Sequence, residues 1–166
     1  MKIEVTANQA VLIPSGYLHA VLTLKDSFML GGSFVHEYSI RSHLHFRKME
    51  LHTNSLRGNR YQQFGRFCWL LAQYYADAWA PNKGPRPKSY EFLQQIHHLR
   101  MFIELEVWKI QNQAAGWKKC VGSLPWGWRE DKTYVKVIRR LKRGYARMSR
   151  KMRQLPPDGS EEEESE

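Results

Sequence analysis

The first 34 residues contain short apolar runs that are separated by turn-forming residues. The apolar run at residues 10–13 stops at a Pro-Ser-Gly turn (residues 14–16), and a second apolar run begins at Tyr17. Short apolar runs bounded by Pro, Ser and Gly are typical of strands joined by tight turns. The pattern therefore predicts at most four strands, over residues 2–6, 10–14, 17–23 and 27–31.

From residue 35 onwards, apolar residues recur three and four positions apart, which is the spacing of one helix face. This spacing predicts four helices, over residues 35–54, 61–79, 89–113 and 131–155. A connector with three prolines (residues 81–88) separates the second helix from the third. Residues 116–128, where Gly and Pro alternate with Trp, are predicted to be irregular. Ser89 is the predicted N-cap of the third helix, and Asp131 is a candidate cap of the last.

The last predicted helix carries an apolar seam with alternating spacings of four and three, as in a coiled coil. The seam comprises Tyr134, Ile138, Leu141, Tyr145, Met148, Met152 and Leu155. We expect it to be buried against the third helix or against a helix of a partner. The other faces are basic, and six of their side chains are candidate contacts to nucleic-acid phosphates: Lys136, Arg139, Arg140, Arg143, Arg147 and Arg150. The same cluster is a candidate nuclear import signal.

Charge is distributed unevenly along the chain. The net charge is +10, but residues 158–166 hold six acidic and no basic side chains. Residues 1–157 therefore hold 26 basic and ten acidic side chains, a net charge of +16. A body this basic favours a polyanionic partner such as DNA or chromatin, and the alternative is a solubilising surface. No apolar run approaches the roughly 18 residues of a membrane span, so we expect no membrane partner.

His19 is the candidate residue for chemistry in the first 34 residues. In a strand it shares a face with Tyr17 and Val21, because alternate residues point the same way. A histidine in an apolar strand is either a hydrogen-bonded core residue or a metal ligand, and periodicity does not decide between the two. Cys68 and Cys120 show no Cys-x-x-Cys spacing and suggest neither a zinc site nor a disulfide framework.

Residues 13–21 (Ile-Pro-Ser-Gly-Tyr-Leu-His-Ala-Val) and residues 31–34 (Gly-Gly-Ser-Phe) resemble the closing strands of a JmjC domain. The resemblance is to the JmjC-domain histone demethylation proteins, which act on lysine 36 of histone H3, and to their PHD-finger relatives. A looser likeness, carried by Met49–Thr53 and Phe64–Leu70, extends to about residue 79.

The resemblance implies an α+β fold in which the C-terminal strands of a double-stranded β-helix (a cupin) precede a mostly α-helical region. The resemblance implies cupin strands at 1–34 and JmjC-associated helices at 35–80. Apolar spacing and composition add a helical region at 89–157 and a disordered acidic tail at 158–166. His19 corresponds to the last of three iron ligands, and Ser33 stands where the family has an Asn close to the methylated lysine. The implied cofactors are Fe(II) and 2-oxoglutarate, the implied partner is the histone H3 tail of the nucleosome, and the implied location is the nucleus.

The first two iron ligands of the family, an upstream His-x-Asp or His-x-Glu pair, are absent. No His or Asp precedes His19, and none of the seven histidines has an Asp or Glu two residues after it. We therefore expect the C-terminal part, or a truncated form, of a JmjC histone lysine demethylase that is inactive as this chain alone. The alternative is a non-catalytic, basic helical module that binds chromatin or DNA and carries a degenerate cupin remnant. A JmjC hydroxylase that acts on another protein is a third possibility.

Overall fold

The structure, a computed structural model, describes residues 2–14, 16–32, 34–53, 63–81 and 89–154. Over these ranges the regular elements are one 3₁₀ turn and five α-helices. The 3₁₀ turn is Glu37–Ser39, and the helices are α1 Ile40–His52, α2 Phe64–Ala78, α3 Tyr90–Gln111, α4 Trp117–Ser123 and α5 Thr133–Arg153. None of the helices described is long and apolar enough to cross a membrane.

The prediction of an α+β fold with cupin strands is wrong, because residues 2–14 and 16–32 form no strand. The turn between the first two apolar runs is present, since the Tyr17 amide donates to the Pro14 carbonyl at 3.3 Å. However, every described side chain from residue 2 to residue 32 is exposed. A hairpin is stable in water only when further strands or a helix cover its apolar face. The described residues supply no such cover, so the alternating pattern does not become a sheet.

The helices that the apolar spacing predicts are confirmed as α1, α2, α3 and α5. Ser89 caps α3 as expected, and its hydroxyl accepts a hydrogen bond from the Phe92 amide at 3.1 Å. The N-cap residue of α5 is Lys132 and not the candidate Asp131, although the Asp131 carboxylate accepts a hydrogen bond from the Thr133 amide at 2.8 Å, at the start of α5. The irregular segment predicted at 116–128 is partly wrong, because it contains the short helix α4. Residues 82–88 of the connector and the acidic tail at 158–166 lie outside the described residues.

The core lies where α5 packs against both α2 and α3. The seam predicted for α5 is buried there, except that Leu155 lies outside the described residues. Leu141 is 0% exposed and Met148 is 2% exposed, while Tyr145 and Met152 pack at the margin. Facing them are side chains of α2 and α3 that are also almost fully buried, among them Trp69, Ile96, Leu99 and Ile103. Burial of one such aliphatic side chain contributes about 1.5–3 kcal/mol, so this contact dominates the stability of the helical body.

Two polar contacts fix the start of α1 to the rest of the body. The Gln95 amide oxygen, on α3, accepts a hydrogen bond from the Arg41 backbone amide at 2.9 Å. This bond satisfies one of the amides that the first turn of a helix leaves unpaired. The Tyr75 hydroxyl, on α2, donates to Glu37 Oε2 at 2.8 Å, and burial together with this carboxylate raises the pKa of Tyr75. We refer to the described residues from 2 to 32 as the exposed segment. This segment therefore joins a helix that is held by both α2 and α3.

Gly144 lies at the closest approach between α5 and the end of α2. A Cβ atom at Gly144 would lie 2.9 Å from Trp79 Cβ and 3.3 Å from the Trp79 carbonyl oxygen. In isolation a helical glycine weakens α5 by about 1 kcal/mol relative to alanine. Here the missing side chain is what allows α5 to reach Trp79.

We expect Gly144→Ala to lower the free energy of unfolding by about 1 kcal/mol. The gain in helix propensity is outweighed by the cost of forcing a methyl group into a packed contact, which is about 1–3 kcal/mol. Urea denaturation measures the effect, with Gly122→Ala as the matched control, because a Cβ atom at Gly122 meets nothing within 4 Å. If the Gly144→Ala protein were as stable as the Gly122→Ala protein, the contact between α5 and the end of α2 would accommodate a methyl group without loss of stability, and the prediction would be wrong.

Candidate functional site

His19 lies in the exposed segment that precedes the helices. Its side chain is exposed, and Nδ1 lies 3.0 Å from the Tyr17 carbonyl oxygen. With the proton on Nδ1, the imidazole donates this hydrogen bond and leaves the lone pair of Nε2 available, the arrangement in which a histidine ligates a metal. Ser33, the predicted substrate contact, lies outside the described residues.

The described residues do not form the iron site that the resemblance implies. Over residues 2–14, 16–32, 34–53, 63–81 and 89–154, no group of three or more His, Cys, Asp or Glu side chains is placed to hold a metal ion. A facial triad for Fe(II) needs two histidines and one carboxylate. His19 alone therefore does not make a site for Fe(II) and 2-oxoglutarate.

The six cations predicted to contact nucleic acid lie together on the outer face of α5. Helix rotation is about 100° per residue, so the six positions fall within roughly 100° of arc and along about 21 Å of axis. All six are exposed except Arg147, which is partly buried. We refer to this set as the basic face of α5: Lys136, Arg139, Arg140, Arg143, Arg147 and Arg150.

Two acidic side chains from other helices contact α5, and their positions could not be read from the sequence. Arg140 forms an ion pair with Asp77 on α2. Lys142 lies 3.5 Å from Glu104 on α3, and the same carboxylate accepts a hydrogen bond from Arg100. Among ion pairs between described residues, none involves Lys136, Arg139, Arg143 or Arg150. Most of the basic face therefore keeps its positive charge for an external partner.

A groove between α3 and α5 borders the basic face. It has a volume of about 320 Å³, and Trp108, Arg139 and Lys142 are among its lining residues. The apolar stripe predicted for α3 did not include Trp108. The sequence did contain a signal for an apolar surface at Trp108, because Met101, Leu105 and Trp108 form a second apolar row on α3 at spacings of four and three.

Glu106 is a partly buried carboxyl group on α3 that contacts Trp69 and is not part of the basic face of α5. Burial raises its pKa, although the Trp69 indole donates to Glu106 Oε2 at 3.2 Å and the Cys120 thiol is also hydrogen-bonded to it. Burial and this carboxylate raise the pKa of Cys120 to about 11, and burial raises the pKa of Cys68. Neither thiol is activated as a nucleophile, because nucleophilic cysteines have a lowered pKa. We interpret this cluster as structural.

Comparison with known proteins finds relatives among the histone demethylases. The chain is 34% identical over 110 residues to the JmjC domain-containing histone demethylation protein 1 of Cryptococcus neoformans, covering 61% of this chain and 13% of that protein. It is 33% identical over 111 residues to lysine-specific demethylase 7A of Danio rerio, covering 64% and 13%. It is 32% identical over 74 residues to lysine-specific demethylase 2A of Xenopus tropicalis, covering 45% and 6%. No family profile and no solved structure matches the chain.

These similarities place the chain among the relatives of the lysine demethylases. More particularly, the chain is a relative of the JmjC histone demethylases, and the resemblance read from the sequence is confirmed. The matched part is about an eighth or less of each relative described above.

We expect Glu106→Gln to make the protein more stable at pH 7 and no more stable at acidic pH. The folded-state pKa of Glu106 is raised, so ionisation costs stability as the pH rises above the ordinary range of a glutamic acid. An amide keeps the acceptor for Trp69 and removes the buried charge. Urea denaturation between pH 3.5 and pH 7 measures the difference, and Glu130→Gln, at an exposed position, is the control. An equal effect of the two substitutions at pH 7 would contradict a buried charge at Glu106.

Proposed function

We propose that this chain forms part of a JmjC histone lysine demethylase that acts on lysine 36 of histone H3. The similarity to histone demethylation proteins supports the proposal most directly. Within such an enzyme, His19 is the third iron ligand, and a His-x-Asp pair outside this sequence supplies the other two. Ser33 lies close to the methylated lysine, and the protein works in the nucleus on the nucleosome.

The exposed segment supports this proposal, because its side chains are too apolar to remain in water without a partner. Leu18, Leu22, Phe28 and Leu30 are each more than four-fifths exposed. So much exposed apolar surface is unusual for a protein in water and is typical of an interaction site. The occupant that we propose is the part of the demethylase that carries the other iron ligands. Since the described residues hold one ligand only, we expect this chain alone to be inactive.

The basic face of α5 supports a second role, in which the chain contacts the DNA of the nucleosome. Of its six cations, five form no ion pair with a described residue, and the six lie along about 21 Å of one helix. Cations in such a row bind phosphates and release counterions, independently of base sequence. This role requires no metal site, so it also applies if the chain acts without a catalytic partner.

We expect His19→Ala to abolish demethylation in a polypeptide that also carries the upstream His-x-Asp segment of a JmjC demethylase. Loss of one of three protein ligands removes the iron, and mass spectrometry of a dimethylated histone H3 peptide measures turnover. His45→Ala, at an exposed position on α1, is the matched control and should keep activity. Near-normal demethylation by the His19→Ala enzyme would refute the assignment of this ligand.

We expect Lys136→Gln with Arg143→Gln to weaken binding to a 20-base-pair DNA duplex. For six phosphate contacts, the logarithm of affinity falls with the logarithm of salt concentration with a slope of about −5, and two neutralised contacts reduce the slope by about 2. Titrations at 50–200 mM salt measure both slopes. Lys25→Gln with Lys118→Gln makes the same charge change at exposed positions outside α5. Equal affinities for the two double variants would rule out the basic face as the contact surface.

A further inference from the structure

Trp108 is an exposed aromatic side chain at the edge of the basic face. It is 54% exposed, although α3 buries its neighbour Val107 in the core. Trp108 lines the groove between α3 and α5, and Ile138 of α5 contributes to the same lining. The groove thus offers a planar apolar surface that no described residue covers.

The charged side chains of the groove favour an anionic ligand. Arg139 and Lys142 of α5 line it, together with Glu104 of α3. Glu104 is shared between Lys142 and Arg100, so one carboxylate faces two cations and the groove remains positive. Arg139 belongs both to the groove and to the basic face, and the two surfaces are therefore continuous.

We propose that this groove binds single-stranded nucleic acid, with one base stacked on Trp108 and the flanking phosphates on Arg139 and Lys142. The proposal rests on the DNA-binding role proposed for the basic face, and it adds a preference for single strands over duplex DNA. A base can stack on an indole only when it is not enclosed in a duplex, whereas phosphates are available in both forms. An indole with cations beside it is the combination that single-strand-binding proteins use.

An acidic peptide with an aromatic side chain is the main competing ligand for such a groove. The basic face argues for the nucleic acid, because it continues the positive surface from Arg139 in the groove to Arg150, about 17 Å along α5. A polynucleotide presents an anion at every residue and so uses that whole length. A short acidic peptide gains nothing from the more distant cations Arg147 and Arg150.

The test compares a fluorescein-labelled 15-nucleotide oligo(dT) with the oligo(dT)·oligo(dA) duplex of the same length, using the full chain at 100 mM salt. We expect Trp108→Ala to weaken single-strand binding about tenfold, as loss of one stacking contact does, and to leave duplex binding within about twofold. Trp108→Phe keeps a ring and should recover most of the affinity. Leu105→Ala is the matched control, because Leu105 is 49% exposed on the same helix and does not line the groove. Thermal unfolding verifies that each variant is folded.

Different outcomes overturn the stacking proposal and the basic-face proposal. If the Trp108→Ala protein binds oligo(dT) as tightly as the unchanged protein, stacking is refuted, while salt-dependent binding of both forms still supports the basic face. If the unchanged protein binds neither form at 50 mM salt, both proposals fail. If a peptide of alternating Glu and Tyr binds more tightly than oligo(dT) and depends on Trp108, the groove is a peptide site and the nucleic-acid proposal is wrong.

Discussion

The burial of the α5 seam against α2 and α3 is the interaction on which the rest of the structure depends. Helix α5 contains nine Lys or Arg and no Asp or Glu. Like charges three and four residues apart destabilise an isolated helix, and most of the stability of a helix in a protein comes from packing of its apolar face. The apolar contacts of Leu141 and Met148 offset this repulsion. They also determine which side of α5 faces solvent, and so they create both the basic face and the groove beside Trp108.

The described residues form two parts that differ in how far their side chains are buried. The described helices enclose a core of their own, whereas the described residues from 2 to 32 are exposed throughout. The motif that relates this chain to the JmjC demethylases, with His19 in it, lies in the exposed part. The helical body attaches to this part through the 3₁₀ turn and α1, which Tyr75 and Gln95 hold in place. The helical body therefore fixes the position of the chain at the end of the exposed segment, whose apolar side chains remain accessible to a partner.

The candidate sites differ in how far the sequence could predict them. The basic face was predictable because its six positions share one face of one helix, and the helical repeat alone determines that arrangement. The ion pair between Arg140 and Asp77 was not, since it depends on how α5 lies against α2. The groove at Trp108 likewise exists only where α3 and α5 meet. His19 was recognised from its neighbours in the sequence, but the described residues form no group of three ligands around it.

The sequence by itself determined α1, α2, α3 and α5, the N-cap at Ser89 and the apolar seam of α5, because a helix satisfies its hydrogen bonds within one stretch of chain. The strand pattern of residues 2–31 was equally regular, yet it did not determine a sheet. A strand pairs its amides and carbonyls with another strand, and its apolar face needs cover from elsewhere in the fold. Only the tertiary structure decided that this cover is missing among the described residues, and that α2 and α3 together, rather than a partner helix, bury the seam.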